Sequence, residues 1–186
     1  MNADMNSLAV WQAHTQQRLF RRLVDAFAYP GRVLDAADSG ASAQLAVLAT
    51  LLDAEVSLAD PHGLVASKDS ARLMALSALP EQARFIVADA ASAPDFTPAL
   101  GCLESPEFGA TLILQVQCLG VGTSYLLTGP GIASATVLAV DGLHPDWVAQ
   151  RVSWVAAYPL GVDIILCDAT SFVALPRTTH IVQGAV

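Results

Sequence analysis

Apolar residues recur at helical spacing in the first strongly patterned segment, RLFRRLVDAFAYPGR. Phe20, Leu23, Val24 and Phe27 stand at i, i+3, i+4 and i+7, which is typical of one buried stripe of an amphipathic helix. The Pro-Gly pair that follows is expected to end this helix. The pattern therefore predicts a helix that packs against the core through these four side chains.

Charged residues occupy the other face of the predicted helix. Arg21 and Asp25 stand four residues apart and are predicted to form an ion pair, which is worth only a few tenths of a kcal/mol. Exposure to solvent is the simplest interpretation of the remaining charges on this face.

The rest of the chain alternates between helical and strand patterns. Helices are predicted in ASAQLAVLATLL, SKDSARLMALSA and HPDWVAQRVSWVAA, with Ser67 and Ser70 as candidate N-caps of the second. Strands are predicted at residues 56–58 and in ARFIVADA, ATLILQVQCL, SYLLTGPG, TVLAVDGL, GVDIILCD and SFVALPRT. Residues 92–109 hold three prolines and two glycines and are predicted to form a loop around one helical turn, and Gly120 and Gly122 are predicted to form a turn.

This order of elements predicts an α/β or α+β fold, in which helices pack on a mixed sheet, and we expect the α/β class. We expect one domain over residues 1–186, with residues 1–14 as a loose N-terminal segment.

The composition predicts an unusually apolar surface. Hydrophobic residues make up 54% of the chain and charged residues 14%, whereas an average domain carries about 25% charged residues. Large exposed apolar patches mark contact sites. We therefore expect an obligate oligomer or a subunit of a larger assembly; the alternative is an alanine-rich monomer.

Charge and leader patterns exclude several classes of function. The net charge is −8 and the basic residues are scattered, so a nucleic-acid partner is not expected. No apolar run is long enough to span a bilayer, and the first residues do not form a signal peptide, so we expect a cytoplasmic protein. The three cysteines, Cys102, Cys118 and Cys167, are widely spaced. They predict buried thiols and no metal site.

One constellation near the C-terminus has the chemistry of a binding site. The segment LPRTTH combines Arg177 with Thr178 and Thr179, and an arginine fork with adjacent hydroxyls suits an anion. Arg21 and Arg22 could contribute from the first helix if the fold brings them near. An edge strand that ends in an ordinary salt bridge remains the alternative. No complete catalytic motif is present.

Seven segments together resemble the PhnH family, subunits of the bacterial carbon–phosphorus lyase core complex. They are FRRLVDAFAYPGR, LLDAEVSL, FIVADA, PEFGATLILQV, LLTGPGI, YPLGVDIIL and ALPRTTHI, and they extend from about Arg18 to Val182. The combination of PLGVDIIL with LPRTTH is the most specific part of this resemblance.

The resemblance implies a role in phosphonate catabolism. Such a subunit supports, with PhnG, PhnI and PhnL, the formation of ribose 1-methylphosphonate 5-triphosphate from ATP and methylphosphonate. It forms a homodimer and assembles with PhnG, PhnI and PhnJ. Its fold is similar to a reduced pyridoxal-phosphate-dependent transferase that does not bind the cofactor. This implies an accessory or structural subunit, without an identified catalytic residue.

The resemblance also selects candidate site residues. Arg177, Thr178 and Thr179 of the PRTT motif and Arg21 of FRRL are carried over as candidate ligand contacts. The arginines would bind an anion, and the threonines would donate from hydroxyl or backbone groups. Equally, these residues could hold a dimer or partner interface together.

The lysine content bears on the cofactor. Lys68 is the only lysine, and a pyridoxal phosphate Schiff base requires a lysine amine. Lys68 has no glycine-rich phosphate cup beside it, so we expect no pyridoxal phosphate. The alternative function is a free-standing small-molecule or nucleotide transferase with the same type of fold.

Overall fold

The structure is a computed structural model that describes residues 9–184. The prediction for residues 1–8 lies outside this range. Residues Ala9–Trp11 form a short 3₁₀ turn, and the helices that follow are α1 (Ala13–Ala28), α2 (Ala43–Leu51), α3 (Ser67–Leu73) and α4 (Pro145–Trp154). A second 3₁₀ turn spans Ala37–Ser39.

The strands are β1 (Leu34–Asp35), β2 (Ser57–Ala59), β3 (Leu76–Ser77), β4 (Phe85–Asp89), β5 (Leu100–Cys102), β6 (Ser105–Gly109), β7 (Thr111–Gln115), β8 (Cys118–Thr128), β9 (Thr136–Asp141), β10 (Asp163–Cys167), β11 (Ser171–Leu175) and β12 (His180–Gln183). Helices and strands are thus mixed along the chain, as the sequence predicts. The mixed α/β class is confirmed.

A seven-stranded sheet organises the molecule in the order β1-β11-β10-β7-β4-β2-β3. Strands β10, β7, β4, β2 and β3 run parallel, and β11 is antiparallel to both β10 and β1. The central strands are continuous apolar runs with both faces buried, as in ATLILQ and VDIILC. Strands covered on both faces have this pattern because neither face can be polar.

The two faces of this sheet are covered differently. Ile113 and Ile165 face a core shared with α1 and α2, whereas Leu112 and Ile164 face a core shared with α4 and a second sheet. The second sheet has three antiparallel strands in the order β12-β8-β9. The candidate site lies at the amino ends of the parallel strands.

The apolar stripe predicted for α1 is only partly correct. The helix forms, but its buried side chains are Thr15, Leu19, Leu23 and Ala26, while Phe20 and Val24 are 53% and 51% exposed. The periodicity of FRRLVDAF allows either of two overlapping stripes. Packing on α2 selects the one through Leu19, so the other apolar stripe faces outward.

The predicted Arg21–Asp25 pair is absent from the ion pairs of residues 9–184. Instead, Asp38 accepts from Arg22 at 2.6 Å and lies 3.3 Å from Arg18. The 3₁₀ turn after β1 brings Asp38 onto the arginine face of α1. A contact across two elements has therefore replaced the local one.

Asp38 predicts a small pH dependence of stability. The hydrogen bond from Arg22 is the main cause that lowers the pKa of Asp38 below its ordinary value of 3.8. A lowered folded pKa means that the contribution is present above the unfolded pKa and lost as the pH falls through the folded one. Because the carboxylate is 41% exposed, Asp38→Asn should cost only a few tenths of a kcal/mol.

Urea unfolding of wild type and Asp38→Asn as a function of pH checks this. The difference should be larger at about pH 6 than at about pH 2.5, because it is lost as the pH falls below the ordinary pKa of 3.8, and it should shrink in about 1 M salt. Asp25→Asn, an exposed change on the same face with no ion pair among the described residues, is the matched control. An equal difference at both pH values would contradict the assignment.

Two predictions in the middle of the chain are wrong. Residues 92–109 were expected to be a loop around a helical turn, but they end in the β5–β6 hairpin. Gly120 and Gly122 do not turn the chain: both lie inside the eleven-residue β8 with φ of 90° and 92°, where the register with β9 shifts. A bulge of this kind uses the same glycines that a turn would use. The real turn follows β8.

Two smaller features also differ from expectation. Ser67 is the first residue of α3 rather than its cap, because Ala66 occupies the N-cap position. The last strand, β12, continues the chain after PRTT and pairs with β8. No helix among residues 9–184 is both long and apolar enough to cross a membrane.

Candidate functional site

Three arginines gather at the amino ends of the central parallel strands. Arg84 directly precedes β4, Arg177 follows β11, and Arg151 lies on α4. Asp163, the first residue of β10, pairs with Arg177 and acts electrostatically on the other two. In a chain of net charge −8, three of the eight arginines thus surround one carboxylate.

Arg177 forms an intramolecular latch. Its Nη2 donates to Asp163 Oδ2 at 2.7 Å, Nε contacts the same carboxylate, and its backbone N–H donates to Oδ1 at 2.7 Å. Nη1 donates to the carbonyl oxygens of Pro106 and Pro159 at 2.9 and 3.1 Å. The side chains of Arg177 and Asp163 are only 14% and 19% exposed. This pair joins β6, β10 and the turn after β11.

The contacts of Arg177 bear on whether the PRTT motif binds a ligand or holds the structure together. A guanidinium has five N–H donors, and the four contacts made by the Arg177 guanidinium occupy most of them. The geometry therefore favours a structural role for Arg177, and a ligand role there stays a prediction. Arg21 is exposed on α1, and no hydrogen bond or ion pair within residues 9–184 joins it to Arg177.

The two threonines lie in a tight turn. The backbone N–H of Thr179 donates to Pro176 O at 2.9 Å. Thr179 is buried, and its Oγ1 has no hydrogen-bond partner in the described part of the chain, while Thr178 is partly exposed. Their roles as ligand contacts remain predictions.

Arg151 was missed by the sequence analysis as a functional candidate. It is 3% exposed and donates to Thr179 O at 2.9 Å and Pro176 O at 2.6 Å. Burial lowers its pKa to about 10, an effect that Asp163 partly offsets, so it stays charged at neutral pH. The available signal was an arginine within an apolar helical stripe, between Trp147 and Val155.

Arg84 was also missed, although it directly precedes an apolar strand. Its backbone N–H donates to Ser57 Oγ at 3.0 Å, and its Nη1 donates to Gly109 O at 2.9 Å. Burial and the neighbouring Arg177 lower its pKa, with Asp163 and Glu107 acting in the opposite direction. Within residues 9–184 it forms no ion pair.

A cavity of about 600 Å³ opens beside Arg84. We name it the Arg84 cavity; its lining includes Glu55, Ser57, Glu81, Arg84, Leu100, Cys102 and Phe108. Cavities of this size bind small molecules in many proteins. It combines one half-buried cation, two carboxylates and an apolar wall.

Aspartates dominate the opposite, carboxyl edge of the sheet. Asp60, Asp89 and Asp168 each accept backbone N–H groups of the turns that follow their strands. His62 Nδ1 accepts from the backbone N–H of Asp89 at 2.9 Å. These polar groups are committed to holding turns. Nowhere in residues 9–184 do three potential metal ligands cluster.

Reactive side chains occupy separate places. Lys68 is exposed on α3. Of the cysteines, which were expected to be buried, Cys102 is exposed, Cys118 is partly exposed and Cys167 is buried. The expectation therefore holds for Cys167 and is wrong for Cys102, because the unpredicted β5–β6 hairpin carries Cys102 at the surface.

The exposed Cys102 and the buried Cys167 should differ in their reactivity toward alkylating reagents. Burial and the nearby Asp168 raise the pKa of the Cys167 thiol, and only the thiolate is a nucleophile. With iodoacetamide at about pH 8, Cys102 should be alkylated in the native protein and Cys167 only after unfolding in guanidinium. Peptide mapping by mass spectrometry measures both. Equal native rates would overturn this assignment.

Comparisons with known proteins agree with one another. The model of a family described as "Bacterial phosphonate metabolism protein (PhnH)" matches residues 9–182. A putative C-P lyase subunit protein, HtxG, of Stutzerimonas stutzeri is 49% identical over 177 residues, 95% of this chain and 91% of that protein. The alpha-D-ribose 1-methylphosphonate 5-triphosphate synthase subunit PhnH of Rhizobium meliloti (strain 1021) is 34% identical over 185 residues, 89% of each chain.

The matched region includes every strand of the seven-stranded sheet, the Arg177–Asp163 latch and the Arg84 cavity. With a family model over most of its length and relatives at 49% and 34% identity, the chain belongs to the PhnH family of bacterial phosphonate metabolism proteins.

Proposed function

We propose that this protein is a subunit of a carbon–phosphorus lyase system. In that role it supports, with PhnG, PhnI and PhnL, the formation of ribose 1-methylphosphonate 5-triphosphate from ATP and methylphosphonate. The observation that carries this proposal is the family match over residues 9–182, together with the two relatives whose names describe such subunits.

Exposed apolar side chains on the three-stranded sheet support the proposal that the protein is part of an assembly. Val182 of β12, Leu126 of β8 and Val137 of β9 are direct cross-strand neighbours, so their side chains share one face of the three-stranded sheet. All three are exposed. This apolar row, as we name these residues, suits a partner surface. The partners of the proposal are a second copy of the chain and PhnG, PhnI and PhnJ.

A charge in the apolar row should weaken assembly without unfolding the protein. Leu126→Lys is expected to lower the mass of the purified protein from dimer to monomer in light scattering. Because Leu126 is 42% exposed, the unfolding midpoint should stay close to that of wild type. Val121→Lys is the control, since Val121 is also exposed on β8 but outside the row. Dimers that persist in Leu126→Lys would place the self-interface elsewhere.

The fold likeness to pyridoxal-phosphate-dependent transferases is part of the same proposal, without the cofactor. Lys68 stands exposed near the start of a seven-residue helix and does not line the Arg84 cavity. An absorption spectrum tests this: a band in the near-ultraviolet or visible range that Lys68→Ala removes would favour the free-standing transferase instead.

Growth tests the proposed function directly. The chain is expressed in a bacterium that lacks its own PhnH and is supplied with methylphosphonate as the sole phosphorus source. The expected result is restored growth, together with co-purification of PhnG, PhnI and PhnJ after phosphate starvation. Failure of both, with the chain present and folded, would reject the proposal.

A further inference from the structure

The Arg84 cavity, with a volume of about 600 Å³, lies at the amino edge of the sheet and has no role in the proposed function so far. Arg84 is held there at three points: its backbone N–H donates to Ser57 Oγ, its carbonyl accepts from the Thr111 N–H at 2.9 Å, and its Nη1 donates to Gly109 O. These contacts fix its position between β2, β6 and β7. The first two contacts hold the backbone and the third holds one end of the guanidinium, which reduces the reorganisation needed to bind a ligand.

Most of the hydrogen-bonding capacity of Arg84 is unused. Gly109 O is the one acceptor that its guanidinium has among residues 9–184, although a guanidinium carries five N–H donors. Partly buried cations are stabilised when an oxyanion fills such donors with charge-assisted hydrogen bonds. The free donors therefore point to an anionic group as the occupant.

The surrounding charges support the same conclusion. Arg177 places a second positive charge near Arg84. The carboxylate of Asp163, which pairs with Arg177, is already engaged in the latch. Glu107 attracts Arg84 electrostatically but forms no ion pair with it in the described range. An oxyanion could therefore bind Arg84 without displacing a carboxylate from it.

The other residues that line the cavity indicate which further groups the ligand carries. Glu55 and Glu81 are exposed carboxylates on the same cavity, and they can accept hydrogen bonds from hydroxyl groups. Leu100 and Phe108 supply an apolar wall. A ligand with an oxyanion at one end and hydroxyl groups at the other fits this arrangement, which is the chemistry of a phosphorylated sugar.

The opposite edge is a poorer place for such a ligand, although open parallel sheets usually bind ligands at their carboxyl edge. The cavity there is about 270 Å³ and is lined by Asp89. The lining of that cavity includes no arginine or lysine, so nothing in it offsets the repulsion between the Asp89 carboxylate and a phosphate group. The Arg84 cavity also carries carboxylates, but it supplies a guanidinium for the phosphate.

We propose that the Arg84 cavity binds a phosphorylated sugar, with phosphate oxygens on Arg84 and sugar hydroxyls on Glu55 and Glu81. The choice of a ribose derivative rests on the proposed function, because the name of one relative describes a ribose that carries phosphonate and triphosphate groups. The oxyanion at Arg84 rests on the geometry alone.

Binding is measured on the purified protein with ribose 5-phosphate, ATP and inorganic phosphate as probes, by titration calorimetry. Cys102 lines the cavity, so its alkylation by iodoacetamide gives a second readout. Ribose 5-phosphate and ATP are expected to bind and to slow that alkylation. No heat and no protection with either probe at millimolar concentration would overturn the inference.

Variants assign the contacts. Arg84→Met should weaken binding of both sugar phosphates by about 10- to 100-fold, and Arg72→Met, an exposed arginine on α3, should change nothing. If Arg84→Met does not fold, Arg84→Lys keeps the charge and one donor toward Gly109 O and should still bind more weakly. Glu55→Gln with Glu81→Gln should lower the affinity for ribose 5-phosphate relative to the affinity for inorganic phosphate, because only the sugar hydroxyls contact these side chains. Unchanged affinity in the arginine variants would overturn the assignment.

The growth assay separates this inference from the proposed function. If the wild-type chain restores growth on methylphosphonate but binds neither sugar phosphate, the ligand assignment of the cavity is wrong and the proposed function stands. If the chain binds both sugar phosphates through Arg84 but restores no growth, the ligand assignment stands and the proposed function is wrong.

Discussion

Arg177→Ala is expected to lower the free energy of unfolding by about 3 kcal/mol, the range found when one partner of a largely buried ion pair is removed. The substitution strands the Asp163 carboxylate at the start of β10 and leaves the carbonyl oxygens of Pro106 and Pro159 without their donor. Urea unfolding at neutral pH measures the loss as a shift in midpoint with an unchanged slope.

A double-mutant cycle assigns this loss to the pair. Asp163→Ala alone should also be costly, and the double variant should lose less than the sum of the two single variants. Arg32→Ala, at an exposed arginine without a side-chain hydrogen bond in the described residues, should change stability by less than about 0.5 kcal/mol.

The opposite result would revive the other interpretation of PRTT. If Arg177→Ala unfolds at the same midpoint as wild type but loses a ligand or a partner, then Arg177 acts as a contact residue rather than a latch.

Gly109→Ala is expected to cost about 2–3 kcal/mol, because a Cβ there overpacks a rigid contact. The new methyl group would collide with the carbonyl oxygen of Gly161 and lie 3.1 Å from both Leu100 O and Arg177 Nη1. Two of these three neighbours are backbone atoms, which cannot rotate away. The carbonyl of Gly109 also receives Arg84 Nη1, so the displacement should weaken the Arg84 cavity as well.

Gly63→Ala is the matched control for this substitution. Gly63 has φ of 65° but nothing within 4 Å of an added Cβ, so only the backbone strain of about 1 kcal/mol is expected. Thermal or urea unfolding compares the two variants. A smaller loss for Gly109→Ala than for Gly63→Ala would show that β6 is not tightly packed against Gly161, in the turn before β10.

Local patterns were sufficient to locate helices and strands, although not to decide which face of α1 is buried. The helix at α1 and the strands β4 and β10 follow from spacing and from continuous apolar runs, since neither requires knowledge of a partner. Patterns failed in residues 92–109 and at Gly120, where the same prolines and glycines are compatible with a turn, a hairpin or a bulge. The pairing partner decides among these.

The candidate site shows the same division. Arg177 was found because it stands in a recognisable motif, but its partner Asp163 lies fourteen residues earlier in the chain and on another strand. Arg84 and Arg151 were missed because each is a single arginine beside apolar residues. Their common location appears only when parallel strands align their amino ends.

The sequence by itself determined the α/β class, most of the helices and strands, the apolar surface and, through the PRTT and PLGVD segments, the resemblance to the PhnH family. These depend on residue type and near-neighbour spacing, which the chain carries locally. Only the tertiary structure decided which stripe of α1 is buried, which carboxylate Arg177 meets and where Arg84 lies. Those depend on contacts between residues far apart in the chain, which spacing along the sequence does not encode.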